Sequence, residues 1–429
     1  MTLRVGIIGG GATGVACATE LIRRGAKVTL LEKNESLGGL AAGFRTPQWQ
    51  SSLEYFYHHW FSSDMFVQEC ARIWGVHGNI IFRRPLTVME TKQNGFVQLD
   101  SPLSLLAYPE LSIIDKVRMA IGLLRIKMSK SWQPYEVVTA MQWCEQHMGK
   151  EGFDELWLPL LRGKFGDEWA SRVNMAWFWS RLACRTPLLG TYQGGFQNFF
   201  DDVEKWLERN GVRVLKEQKN ITVKAMNGGW EVATPHQTHT FDKLVIAAGA
   251  GAFAALCGKE APHYAEGIVA RPSVGAHVVI FSLKKNVGKY YWYNLRKTPE
   301  RPFLALIEHT NFVPKEEFGG EHIVYLANYL DTKSAEWYEP DAITIEHAIR
   351  TLQFVAPHIA RGDINNARVW REAYAQPLVG ISASKHIPPI RVPEVKNLYH
   401  GSMAHIYPWD RGTNFALELG KKIALEILK

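Results

Sequence analysis

The feature that most limits what this chain can become is a run of backbone without side chains near its start. Arg4-Val5-Gly6-Ile7-Ile8 is a short apolar stretch with the length and composition of a buried strand. It passes into Gly9-Gly10-Gly11-Ala12-Thr13-Gly14, a helical stretch to Arg24, a turn at Gly25, and a second apolar strand, Lys27 to Leu31, ending on Glu32. Glycines at 9, 11 and 14 fit a dinucleotide-binding strand–helix–strand unit, and each has a mechanical reason. Gly9 lets the chain turn sharply out of the strand. Gly11 has no Cβ to keep the backbone away from a pyrophosphate, and Gly14 lets the helix sit tight against the strands. The helix N-terminus, with Ala12 and Thr13 in its first turn, offers phosphates free N–H groups and a partial positive charge. Glu32, followed by Lys33, is placed to accept hydrogen bonds from ribose hydroxyls. A lone glycine pattern is a weak signal, but one bracketed by strand, helix, strand and a terminal acid is specific.

At 429 residues the chain exceeds what one core usually supports, so more than one domain is expected. A hydrophobic fraction of 46% and a charged fraction of 21% read as an ordinary globular protein. The first apolar run is too short for a signal peptide and no run approaches the ~20 residues that span a bilayer. Five cysteines are scattered without a CxxC or metal spacing, which predicts a reducing, cytoplasmic location and no metal or dithiol chemistry. The net charge of +7 permits an anionic partner without identifying one, and no nucleic-acid motif accompanies it.

Beyond Glu32 lies a second glycine pair, Gly38-Gly39, followed by Leu40. Two successive residues without Cβ let the backbone pass close to something bulky. Together with Glu32, the pair resembles the glycine doublet of flavin amine oxidases, protoporphyrinogen oxidases and phytoene desaturases, which often carry an arginine where this chain has Leu40. The resemblance implies FAD as the cofactor, with Gly38, Gly39 and Leu40 beside it.

From about residue 50 to 190 the sequence reads as helices, aromatics and basic residues without parallel-strand runs. Ser52 to Phe61 sets Tyr57, His58 and His59 among aromatics behind Glu54. The three are candidates for a proton donor or acceptor beside the flavin. Metal binding is a second reading, although adjacent histidines cannot share one ion without a further ligand. Aromatic packing is the third. Between 113 and 130, apolar positions 113, 114, 117, 120, 121, 124 and 128 recur at helical spacing, flanked by Lys116, Arg118 and Arg125. Such a helix suits either peripheral membrane contact or a lid packed on its own domain, and Gly122 weakens it. The aromatics of 157–165 and 175–182 suit an apolar substrate tunnel or plain core. Lys164 and Arg185 are anchors for an acidic substrate group or surface charges.

Gly194-Gly195-Phe196 opens a helix with Phe199, Val203, Trp206 and Leu207 on one face. Strands follow at 212–215 and 221–224, a hairpin at Gly228-Gly229, and a buried strand from Phe241 toward Ala247 and Gly249. The resemblance makes this the returning part of the FAD domain, with Val223 near the adenine and Ala247 and Gly249 at the cofactor. Gly249 to Ala254 almost repeats a nucleotide loop, but no acid-terminated strand follows, and Pro262 to Pro272 reads as a loop. Strands near 276–281, 303–308 and 322–326, with a helix over 342–355, suggest a second substrate-domain portion. Asn397 to His400 is a strand that leads to Gly401-Ser402, where the resembled families usually carry Gly-Asp toward the ribityl or phosphate side. Gly412-Thr413-Asn414 opens an amphipathic helix that Thr413 or Asn414 can cap, its dipole facing the flavin pyrimidine.

The expected architecture is α/β: a Rossmann-type FAD-binding domain from 1–50, 190–260 and 390–429, with an inserted α+β substrate domain from 51–189 and 261–389. The expected activity is hydride transfer from an organic, apolar small molecule to flavin N5. One alternative is a flavin-dependent sugar-nucleotide isomerase similar to UDP-galactopyranose mutase. Another is a prenyl-protein carrier similar to the GDP dissociation inhibitors, against which the intact phosphate loop and Glu32 argue.

Overall fold

The computed structural model describes residues 2–409 and 412–429. Five apolar runs form one parallel sheet: β1 (Arg4–Ile8), β2 (Lys27–Leu31), β3 (Arg213–Leu215), β4 (Lys243–Ile246) and β5 (Leu398–His400). Their order is β3-β2-β1-β4-β5, with Ile7 of central β1 opposite Leu30 on one side and Val245 on the other. Val5, Ile7, Leu30 and Val245 on one face and Leu31, Leu244 and Ile246 on the other have no exposed surface, as strands covered on both faces require. Helix α1 (Ala12–Arg23) follows β1, α2 (Gly195–Arg209) precedes β3, and α3 (Thr413–Ile427) follows β5. The buried face of α2 is Phe196, Phe199, Phe200, Val203 and Leu207, with Trp206 half-buried at its edge. Helix α3 lies on α1 at Gly420, where a Cβ would stand 2.3 Å from the Thr13 carbonyl oxygen. The fold is therefore α/β, with a Rossmann-type unit drawn from three separated stretches of chain.

The intervening stretches build a seven-stranded mixed sheet in the order Ile364–Pro377, Ser273–Leu283, His322–Leu330, Ala305–Glu308, Trp292–Asn294, Thr87–Glu90, Phe96–Gln98. Thr87–Glu90 lies parallel beside Trp292–Asn294, which corrects the reading of 50–190 as free of parallel strands. Four residues are too few to show a period, and the partner strand lies some two hundred residues on. Helices Ile113–Met128, Ala140–Met148, Leu158–Ala170 and Met175–Ala183 form a layer around Met119, Trp143, Phe153, Phe165 and Phe178. Trp177, Phe178 and Trp179 are each 4% exposed, so these aromatics fill a core and do not line an open tunnel. Gly122 is a packing requirement here, since a Cβ would meet Met148 Cγ at 2.5 Å.

A second correction concerns Pro262 to Pro272, expected as a loop. Pro262–Val269 is a helix that buries Tyr264, Ala265 and Ile268. Proline at the first helical position gives up only an N–H that has no partner there, so it starts the helix without breaking it.

Candidate cofactor and substrate site

The nucleotide loop is held open by the lack of side chains. Gly9 has φ +112°, and a Cβ on it would sit 2.3 Å from the Ala247 carbonyl oxygen. A Cβ on Gly14 would lie 1.9 Å from the Gly9 carbonyl oxygen, so the first turn of α1 presses directly on the loop. The doublet meets the loop from the other side: Gly38 donates its N–H to the Gly10 carbonyl at 3.0 Å, and Gly39 faces Gly11. Glu32 ties this together, accepting from Gly10 N–H at 2.7 Å and Asn34 N–H at 3.0 Å. Each carboxylate oxygen keeps a lone pair for a further donor. Ala12 is buried in the first turn, Thr13 packs its methyl on Gly401, and Lys33 is exposed. Leu40 is half-buried in the short turn Gly39–Ala41.

The ends of β4 and β5 flank the loop. Ala247 N–H donates to the Ile8 carbonyl at 2.8 Å, and Gly249 starts the helix Ala250–Cys257. Val223 lies on an edge strand with its side chain buried in the apolar cluster that also holds Ile8 and Leu31. Ser402 donates its backbone N–H to His405 Nδ1 at 3.1 Å, and its hydroxyl accepts from Ala404 N–H at 3.4 Å, capping the short turn Met403–His405. Beneath it, His405 Nε2–H donates to Tyr264 Oη at 3.2 Å, and His400 Nε2–H donates to the Ala248 carbonyl at 2.9 Å. Burial pushes the His400 imidazole down to about 4. Burial, helped by neighbouring His400, takes His405 to about 3, so this cluster is neutral. No spacing in the sequence joins Tyr264 to the two histidines.

The start of α3 differs from expectation. Neither Thr413 nor Asn414 caps it; the helix follows Gly412, and no side chain among the described residues caps its N-terminus. Thr413 Oγ1 accepts from Trp60 Nε1–H at 2.6 Å. Asn414 Oδ1 accepts from Phe66 N–H at 3.0 Å and Val67 N–H at 3.1 Å, capping the neighbouring helix Met65–Ile73. Both side chains are buried and turned toward residues 60–67, whose donors they satisfy. A Cβ at Gly412 would meet nothing within 4 Å among the described residues. The N-terminus of α1 likewise has no side-chain cap. The N-terminus of α1 opens directly from the loop anchored by Glu32, and no side chain among the described residues caps it or α3. That donor set fits a dinucleotide with a diphosphate at one point and an electron-accepting ring at another.

Tyr57, His58 and His59 are half-buried and diverge. His58 Nδ1–H donates to the Phe56 carbonyl at 2.5 Å, with its ring 5.7 Å from Phe196 of α2. Tyr57 packs edge-on against Trp292 at 5.2 Å, and His59 against Phe61 at 5.4 Å and Trp292 at 6.3 Å. The segment therefore bridges α2 and the seven-stranded sheet. Behind it, buried Glu54 accepts from Phe196 N–H at 2.8 Å, and burial raises its carboxyl to about 7. Lys164 is not a surface charge: it is 7% exposed, with Nζ 4.9 Å from the Trp177 ring and 5.0 Å from that of Tyr329. Arg185 is exposed. A cleft of about 520 Å³ is walled by Phe44, Trp49, Phe318 and Arg368, and none of the expected site residues lines it.

A family model described as an NAD(P)-binding Rossmann-like domain matches residues 7–70. No curated protein sequence matches the chain. A solved structure designated a protoporphyrinogen oxidase, from Exiguobacterium sp. 255-15, superposes with a TM-score of 0.78 at 15% identity, covering 100% of this chain and 99% of that one. A reduced UDP-galactopyranose mutase gives 0.76 at 15% identity, covering 100% and 94%. A triple mutant of putrescine oxidase gives 0.71 at 14%, covering 100% and 99%. Along its whole length, then, this chain shares the fold of these three structures.

Proposed function

We infer that the chain is an FAD-dependent oxidoreductase that takes a hydride from a C–H or C–N centre of an organic, largely apolar substrate. The observation that supports this most is the side-chain-free loop from Gly9 to Gly14 that opens α1, anchored by Glu32 and met by the Gly38-Gly39 doublet. FAD, when bound, supplies the hydride acceptor at N5, and a quinone, oxygen or another acceptor takes up the electrons. The N–H groups opening α1 would hold the diphosphate, and Glu32 the ribose hydroxyls. The N-terminus of α3 would stabilise negative charge on the pyrimidine side. Tyr57, His59 and Trp292 form an aromatic wall that orients substrate and excludes water. His58, its Nδ1–H held by the Phe56 carbonyl, stands in the same segment as a proton donor or acceptor. Purified protein should show flavin absorbance, directly or after incubation with FAD; a colourless protein under both conditions would overturn the reading.

The likeness to a reduced UDP-galactopyranose mutase over 94% of that chain favours one second reading, a non-redox sugar-nucleotide isomerase. Turnover that requires pre-reduced flavin and consumes no electron acceptor would select it.

A further inference from the structure

The helix Ile113–Met128 has apolar side chains on two opposite faces, and only one is covered. Asp115, Met119, Gly122 and Ile126 are buried in the helical layer. On the far side Ile113, Ile114, Val117, Ile121, Leu124 and Met128 are between 47% and 78% exposed. At 3.6 residues per turn these six fall within about 100° of arc. The same spacing puts Lys116 and Lys127 along one border of that arc and Arg118 and Arg125 along the other. The short helix Pro102–Ala107 packs beside it and adds Leu103, 78% exposed, and Leu106, 54% exposed. Of the eighteen large hydrophobic side chains that stand exposed among the described residues, nine lie between 103 and 137. Scattered exposed hydrophobics need no explanation, but this concentration does.

We propose that this ridge docks the protein on an anionic lipid surface. The helix lies in the plane of the interface, its six apolar side chains enter the acyl boundary, and the bordering lysines and arginines meet headgroup phosphates. Spanning is excluded for this helix: it has 16 residues, and no helix among the described residues is long and apolar enough to cross a membrane. Its inner face is fixed to the core, so it adsorbs as part of the folded protein. A second copy of the chain is a poorer occupant, because a self-complementary interface would set two cationic borders against each other. The one acid of the helix, Asp115, is on the buried side, bonded to Ser112, and does not offset the cations facing outward. Lys127 is held at the border by the carbonyls of Ala183 and Arg185, at 3.2 and 2.8 Å. Beneath the ridge the same apolar cluster runs to Trp409, which stacks on Phe415 of α3 at 5.1 Å, so the docking face and the C-terminal helix share one packed body.

Co-sedimentation of the full chain with vesicles tests this without reference to flavin chemistry. Binding is expected to vesicles of phosphatidylcholine mixed with phosphatidylglycerol, falling as salt is raised, and to be much weaker with phosphatidylcholine alone. Arg118→Gln with Arg125→Gln should weaken the anionic-vesicle binding roughly tenfold or more. Ile121→Glu with Leu124→Glu should abolish it while leaving the melting temperature unchanged, since both positions are exposed. Absence of binding to anionic vesicles at low salt, or equal binding by the Ile121→Glu/Leu124→Glu variant, would overturn the proposal. A dimer in sedimentation velocity that this variant dissolves, in a protein that ignores vesicles, would assign the ridge to a second copy instead.

Discussion

Gly14 leaves no room for even one methyl group, because the Gly9 carbonyl oxygen occupies the place of its Cβ. Gly14→Ala should therefore lower stability by about 1–3 kcal/mol through forced backbone shifts, read by chemical denaturation. The same change moves the donors that open α1, so flavin retention should fall with it, read by the ratio of visible to ultraviolet absorbance. At His400 and His405 the issue is charge. Their folded values of about 4 and about 3 lie below the 6.5 of the free side chain. As pH drops from about 6.5 the unfolded chain takes up protons that the folded chain refuses, so the stability these groups give above that pH is progressively lost. Glu54 and Glu308, both held near 7 by burial against a usual 4.5, act oppositely. Between those values only the folded chain carries their protons, so their contribution fades as pH rises toward 7. Melting temperatures measured from pH 4 to 8 should show both limbs, and His405→Gln should flatten the acidic one.

At the scale of elements, the junction of α3 with residues 60–67 is the most exacting. Thr413→Val would leave the buried Trp60 N–H without its acceptor, a loss of about 1–3 kcal/mol. Asn414→Ala would uncap helix Met65–Ile73 at a cost of about 1 kcal/mol. Thermal unfolding of the two single variants would check both. The glycine loop, Glu32 and the doublet were legible in the sequence because each acts through its neighbours along the chain. The partners of Thr413 and Asn414 were not: 353 and 348 residues separate them from Trp60 and Phe66, and capping its own helix is the default for a polar residue there. The exposed face of Ile113–Met128 was legible as a face, but with Met119 and Ile126 apolar on the other side, periodicity could not say which one the core would cover.

Across the whole molecule, the helical layer and the seven-stranded sheet are joined by buried charge. Glu90, 1% exposed, pairs with Arg301 at 2.9 Å and accepts the Arg296 N–H at 2.8 Å, while the Arg296 guanidinium pairs with Glu155. Arg301→Met would leave Glu90 buried with one fewer donor and should cost about 3 kcal/mol, measured by denaturant unfolding. These pairs link residues 141 to 211 positions apart, which is why composition and local pattern announced two kinds of domain without showing how they are riveted.

The parallel sheet has one further consequence, for biosynthesis. Its central strand emerges from the ribosome first, yet Val5 pairs with Lys243 and Leu244 with Leu398. The chain through His400 must therefore be translated before this sheet can close, and until then its greasy strand edges stay uncovered. Ribosome-stalled nascent chains should acquire flavin fluorescence quenching only once α3 has cleared the exit tunnel.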